Sequence, residues 1–192
     1  MLKRGFKSQC ERRSIELRRQ MGLTPIEPLP ALKVAQHYNV TVWSPNDIHG
    51  APSGDVQYLL QEGHQEWSGF TLRIEGRHLI VANTAQSPRR QNSVIMHELA
   101  HIILGHELQS GTITGGGYFV PTNYNQDQED EAAWLGATLL LPRAALLWMR
   151  RRRLSEEDAA DHFDVSPDLL KWRIRMTGID YQLAAIVRGQ RG

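Results

Sequence analysis

Val94-Ile95-Met96-His97-Glu98-Leu99-Ala100-His101-Ile102-Ile103-Leu104 is an apolar run of helical length into which three ionisable side chains are set. Ser87-Pro88 precedes it, and Gly105 follows as a fitting residue for the left-handed position just past a helix end. Residues four apart share a helix face, so His97 and His101 can each offer a ring nitrogen to one tetrahedral ion. Glu98 is turned by about 100° from His97. That offset suits a carboxylate reaching a metal-activated water better than one binding the ion. Burying two imidazoles and a carboxylate among Val, Ile, Met and Leu is costly unless something pairs with them, and a metal is the simplest partner. A chance grouping of polar residues leaves that cost unmet.

A third ligand has to come from elsewhere. The extended pattern HExxHxxGxxH requires Gly at 104 and His at 107, where this chain has Leu104 and Glu107; Gly105 and His106 each stand one place off. His106 therefore reads as a helix-end histidine favoured by the dipole, and Glu107 as a poor ligand. The single cysteine, Cys10, excludes a thiolate cluster. Downstream, Glu129-Asp130-Glu131 opens a second helical stretch. Glu129 shares a face with Ala132, Ala133 and Gly136, small residues that let this helix approach the motif helix. Glu131 lies on the bulkier stripe of Trp134, Leu135 and Thr138. Glu129 is preferred on packing grounds, while Glu131 and Asp130 otherwise form an acidic first turn stabilised by the helix dipole.

Phe6, Cys10, Leu17 and Met21 recur at helical spacing through an Arg-rich opening segment, and Leu29 to Tyr38 reads as a short helix with Leu32 and Ala35 inward. Val40 to Trp43 alternates as a strand ended by Ser44-Pro45-Asn46-Asp47. The runs 70–74 and 78–82 flank Glu75-Gly76-Arg77, a three-residue hairpin loop by length and composition. From Glu107 to Gln128, Gly, Thr, Asn and Gln dominate, which predicts a long mobile loop. Helices follow at about 126–141 and, past Pro142, up to Arg153. Segments 155–161 and 168–176 form a short pair joined by a tight turn. The expected fold is α+β: a small antiparallel sheet packed on the motif helix and a second ligand-bearing helix, with a C-terminal helix pair. The division expected is 1–145 for the main domain and 146–192 for a helical extension.

At this length one domain with its own core is expected. The balance of 22 basic and 21 acidic side chains leaves a charge of +1, which argues neither for nor against a nucleic-acid partner. No apolar run reaches the roughly 18–20 residues of a membrane span. Lys7, Glu11, Arg12 and Arg13 interrupt the place of a signal h-region. A cytoplasmic protein with no membrane partner is expected. The stretch from Ala159 to Arg175 has the rhythm of a helix-turn-helix, but Glu156, Glu157, Asp158, Asp161, Asp164 and Asp168 would face phosphates badly. Arg150 to Arg153, with Lys3, Arg4, Arg12, Arg13, Arg18 and Arg19, forms a candidate basic surface.

His97-Glu98-Leu99-Ala100-His101, then Glu129-Asp130-Glu131-Ala132-Ala133 leading to Leu139-Leu140-Leu141-Pro142, resembles the ImmA/IrrE family of zinc metallopeptidases, whose strings are HELxH and ExEANxFAxxLLMP. The likeness covers roughly residues 2 to 180 and departs at Ala133 and at Leu135-Gly136, where Asn and Phe-Ala are usual. It implies a zincin-like domain, Zn2+ held by His97, His101 and Glu129, and Glu98 as general base. It also implies a protein substrate, a helix-turn-helix repressor or an antitoxin. Tyr118, Tyr124 or a loop histidine are candidate oxyanion donors, and the hairpin is a candidate edge for an extended peptide. The alternatives are a metal-bound regulator that does not hydrolyse, and a DNA-binding protein using the C-terminal helices.

Overall fold

The computed structural model describes residues 2–50, 52–107, 111–113, 119–121 and 125–189, with the backbone alone at 111–113, 119–121 and from 186 onward. Phe6, Cys10 and Leu17 line the buried side of α1 (Phe6–Gln20), as their spacing predicts. Next come α2 (Ala31–His37), β1 (Thr41–Trp43), a single 3-10 turn and α3 (Ser53–Leu60). The hairpin β2 (Gly69–Ile74) and β3 (Arg77–Ala82) leads into the motif helix α4 (Pro88–Leu104). Beyond it lie β4 (Gly111–Ile113), β5 (Phe119–Pro121) and α5 (Gln126–Leu140). The chain closes with α6 (Arg143–Arg151), α7 (Glu156–Phe163), α8 (Pro167–Thr177) and α9 (Ile179–Gly189).

The sheet differs from the antiparallel one expected. Its order is β1-β3-β2, with β2 antiparallel to β3 but β1 parallel to it, Thr41 opposite Leu79 and Trp43 opposite Val81. The parallel pair spans α3 and β2, a crossover that strand patterning does not reveal. Ile74 pairs with Arg77, so the hairpin loop is two residues rather than three. Glu75 and Gly76 both take positive φ (49° and 79°), the requirement of the tight turn that matches strand twist. Within the stretch expected as a loop, β4 and β5 pair antiparallel. In α2 the inward residues are Ala31, Val34 and Ala35, whereas Leu32 is 54% exposed. The helix α3 has no buried residue and so carries no apolar periodicity to announce it.

Helix α4 lies between the sheet and α5. Ser87 accepts a hydrogen bond from the Arg90 amide at its start, and Gly105 ends it at φ 69°. Asn92, 8% exposed, ties it to its surroundings: its carbonyl oxygen accepts from the Ala31 amide at 2.7 Å and its amide donates to the Asp164 carbonyl at 2.7 Å. On the sheet side, a Cβ at Gly69 would stand 2.7 Å from Val94 Cγ1. On the other, a Cβ at Gly136 of α5 would meet Met96 O at 3.1 Å and His97 Cα at 3.2 Å. Two glycines thus let both neighbours close on α4.

The last carbonyls of α5 are taken by two buried arginines. Arg18 donates to Leu139 O at 2.6 Å and Leu140 O at 3.1 Å, and Arg173 donates to Leu141 O at 3.0 Å while pairing with Glu11. Both are 0% exposed, which removes Arg18 from the basic surface and Arg173 from any phosphate-facing role on a helix-turn-helix. Arg150 is likewise engaged, with Asp180 and Glu156. Helices α7 and α8 do flank a turn, but Phe163, Leu170, Ile174 and Ile179 join the same core cluster as α1, α4 and α5. Among the described residues no single helix is long and apolar enough to cross a membrane. The α5 and α6 pair, which meets that test together, is bent by 47° and buries its apolar residues in the core.

Candidate metal centre

Helical spacing puts His97 and His101 one turn apart on the side of α4 that faces α5. Asn125 caps α5 by accepting from the amides of Asp127 and Gln128, and this places Glu129 in the first turn of α5. The close contact at Gly136 draws the two helices together two turns further on. Three ligand atoms consequently converge. His97 Nε2 lies 3.1 Å from His101 Nε2 and 3.2 Å from Glu129 Oε2. The remaining edge, His101 Nε2 to Glu129 Oε2, is 3.5 Å.

That triangle fits a metal. Ligands at about 2.0–2.1 Å from a tetrahedral ion stand about 3.3–3.4 Å from one another, and the three edges bracket this value. Without an ion, two imidazole nitrogens would have to share hydrogen bonds with each other and with one carboxylate oxygen. Hydrogen bonds from His101 and His97 hold the Glu129 carboxyl well below the usual carboxylate range, against the opposing effect of burial. An ionised carboxylate beside two half-shielded imidazoles is the state a cation requires. Among the described residues this is the only group of three or more His, Cys, Asp or Glu side chains with that convergence.

Glu98 stands outside the triangle, as its angular offset on α4 requires. Its Oε2 accepts a 2.7 Å hydrogen bond from Thr71 Oγ1 of β2. Thr71 carries no motif, and strand patterning does not single it out. β2 is one of the two edge strands of the sheet, so the carboxylate adjoins a sheet edge.

Two residues outside the triangle have partners that spacing does not show. His106, expected as a helix-end histidine near a favourable dipole and not as a ligand, has a side chain only 6% exposed and folds back beside His101 with Nδ1 3.1 Å from His101 Nδ1. Its Nε2 is 3.2 Å from Glu131 Oε2. Glu131 is thus neither a member of the ligand triangle nor simply part of an acidic first turn. Burial is the main influence lowering the His106 pKa, countered by the hydrogen bond to Glu131. Glu107 is exposed. The oxyanion candidates Tyr118 and Tyr124 lie outside the described residues.

A peptidase family model described as the IrrE N-terminal-like domain matches residues 58–175. The match runs from the end of α3 through most of α8, taking in β2, β3, α4 and α5. Neither a curated protein nor a solved structure matches the chain. With more than half of its 192 residues covered, and with metal-binding geometry inside the covered span, the chain belongs to the IrrE N-terminal-like domain family, a family of metallopeptidases.

Proposed function

We propose that the chain is a zinc-dependent endopeptidase in which His97, His101 and Glu129 hold the ion and Glu98 is the general base. The observation that carries this reading is the triangle of Nε2, Nε2 and Oε2 atoms, with edges of 3.1, 3.2 and 3.5 Å, beside a carboxylate that takes no part in it. Bound there, the ion supplies a Lewis acid that makes water nucleophilic near neutral pH and polarises an amide carbonyl. The chain's own groups do the rest. Glu98 takes a proton from the attacking water and returns it to the departing amine. Thr71 holds the carboxylate in place through its 2.7 Å hydrogen bond. β2, at the sheet edge, offers main-chain groups to an extended substrate segment running past Glu98.

The substrate proposed is a protein, a helix-turn-helix repressor or an antitoxin, on the strength of the likeness to the ImmA/IrrE peptidases. DNA binding by α7 and α8 is disfavoured because Arg173 is buried against Glu11 and Leu141. The test is incubation of the purified, zinc-loaded protein with a repressor encoded beside it. A specific cut is expected that disappears with a chelator, returns with added zinc, and falls at least a hundredfold in Glu98→Gln although that variant retains its zinc. A Glu98→Gln protein that cuts at the parental rate would end the peptidase reading, and absence of stoichiometric zinc would end the metal assignment.

A further inference from the structure

His101 touches two different groups through its two nitrogens. Nε2 points into the ligand triangle, 3.1 Å from His97 Nε2, whereas Nδ1 lies 3.1 Å from His106 Nδ1. A ring that gives the lone pair of Nε2 to a metal carries its proton on Nδ1. Among the described residues that proton has one acceptor, the Nδ1 of His106, which must then be a lone pair. His106 in turn carries its proton on Nε2, which donates to Glu131 Oε2 at 3.2 Å. With a cation in the triangle to take the Nε2 lone pair, one set of tautomers satisfies every contact of the two rings with both neutral.

The opposite set fails at two places. If His106 donated from Nδ1, His101 would hold its proton on Nε2, inside the triangle, and could not bind a cation. His106 Nε2 would then present a lone pair to a carboxylate oxygen, a repulsive contact shielded from water, since the His106 side chain is 6% and that of Glu131 18% exposed. The choice is therefore made at Glu131: an ionised carboxylate accepts and never donates.

The backbone is built to close this chain of contacts. Gly105 takes φ 69°, a conformation an L side chain rarely adopts, and turns the chain so that the His106 amide donates to His101 O at 3.0 Å. The two rings then meet edge to face with centroids 5.0 Å apart. In α5, Glu129 reaches the triangle and Glu131, two residues on, reaches His106.

We infer that Glu131 and His106 are positioning residues, a carboxylate and an imidazole in series that lock His101 in its metal-binding tautomer and ring plane. This rests on the proposed metal site. Outer partners of ligating histidines are typically worth about 10- to 100-fold in metal affinity. The deciding measurement is zinc affinity of the full chain by competition with a chromophoric chelator, alongside thermal melting of each metal-free variant. Glu131→Ala and His106→Ala are each expected to weaken zinc binding within that range, and the double variant to be no weaker than His106→Ala alone, because the two act in series. Glu131→Gln, whose amide oxygen still accepts from His106, is expected to lose less than Glu131→Ala, and it serves as the measure should the alanine variants fail to fold. If the single variants fold and bind zinc within twofold of the parent, or if their losses simply add, the inference is overturned. His97→Ala separates the two levels: its zinc binding should collapse whatever the fate of the relay, and if it does not, the metal site itself is misassigned.

Discussion

At the residue scale, the role proposed for Glu98 turns on its hydrogen bond from Thr71. A carboxylate on a helix surface has several rotamers, and a general base is efficient only when held within hydrogen-bond reach of the proton it takes. The Thr71 hydroxyl, donating at 2.7 Å, selects one of those rotamers. A hydrogen bond to a charged group is worth about 1.5–3 kcal/mol, and about 1.4 kcal/mol is tenfold in rate. Thr71→Val, which keeps the shape and removes the donor, is accordingly expected to lower kcat roughly tenfold at unchanged zinc content. Thr71→Ser should restore most of it. A Thr71→Val enzyme with parental kcat would show that the hydroxyl is not what orients Glu98. None of this was legible in the sequence, because a threonine in a strand looks the same whichever helix the sheet is docked on. His97, Glu98 and His101 were legible, since their relation is a local property of helical spacing. His106 misses the extended motif by one place, and the left-handed turn at Gly105 brings it back to His101.

At the element scale, the site exists because α4 and α5 touch. Here the sequence did carry a long-range signal: Ala132, Ala133 and Gly136 on the face of Glu129 predicted a close approach, and Gly136 is where a Cβ would stand 3.1 Å from Met96 O and 3.3 Å from His97 N. These are backbone atoms and cannot rotate away. The sheet was less legible. Its parallel β1–β3 pair joins residues separated by a helix and a strand, and α3, lacking any buried side chain, left no period to read. Gly136→Ala sets two effects against each other. Alanine gains about 1 kcal/mol in helix propensity, and overpacking a tight contact costs about 1–3 kcal/mol. Melting temperature is thus expected to change little, while zinc affinity, which depends on Glu129 reaching both histidines, drops severalfold. If affinity holds and only stability moves, the helix spacing is not what sets the ligand triangle.

At the scale of the whole molecule, α5 is the hub, and its C-terminal end is where the N- and C-terminal parts of the chain meet. Three consecutive carbonyls, of Leu139, Leu140 and Leu141, would be orphaned in the core. Arg18 of α1 serves the first two and Arg173 of α8 the third, with Glu11 balancing the charge of Arg173. Arg18→Met fills the same space without donors, leaving two buried carbonyls unsatisfied at about 1–3 kcal/mol each. With two such groups, a loss of about 2–6 kcal/mol in urea denaturation is expected. Cys10 gives an independent reading. It is 2% exposed, and burial pushes its thiol up to about 12, whereas an unfolded thiol titrates near about 8.5. Below about 8.5 the neutral thiol favours the fold in full, and that contribution fades as pH climbs toward about 12. At pH 8 the native thiol is protonated and shielded, so alkylation has to proceed through an opened state. Iodoacetamide should modify the parent slowly and Arg18→Met much faster, in proportion to the stability lost. If Arg18→Met unfolds at the parental urea midpoint and Cys10 stays equally protected, the carbonyl caps are not what binds α1 to α5.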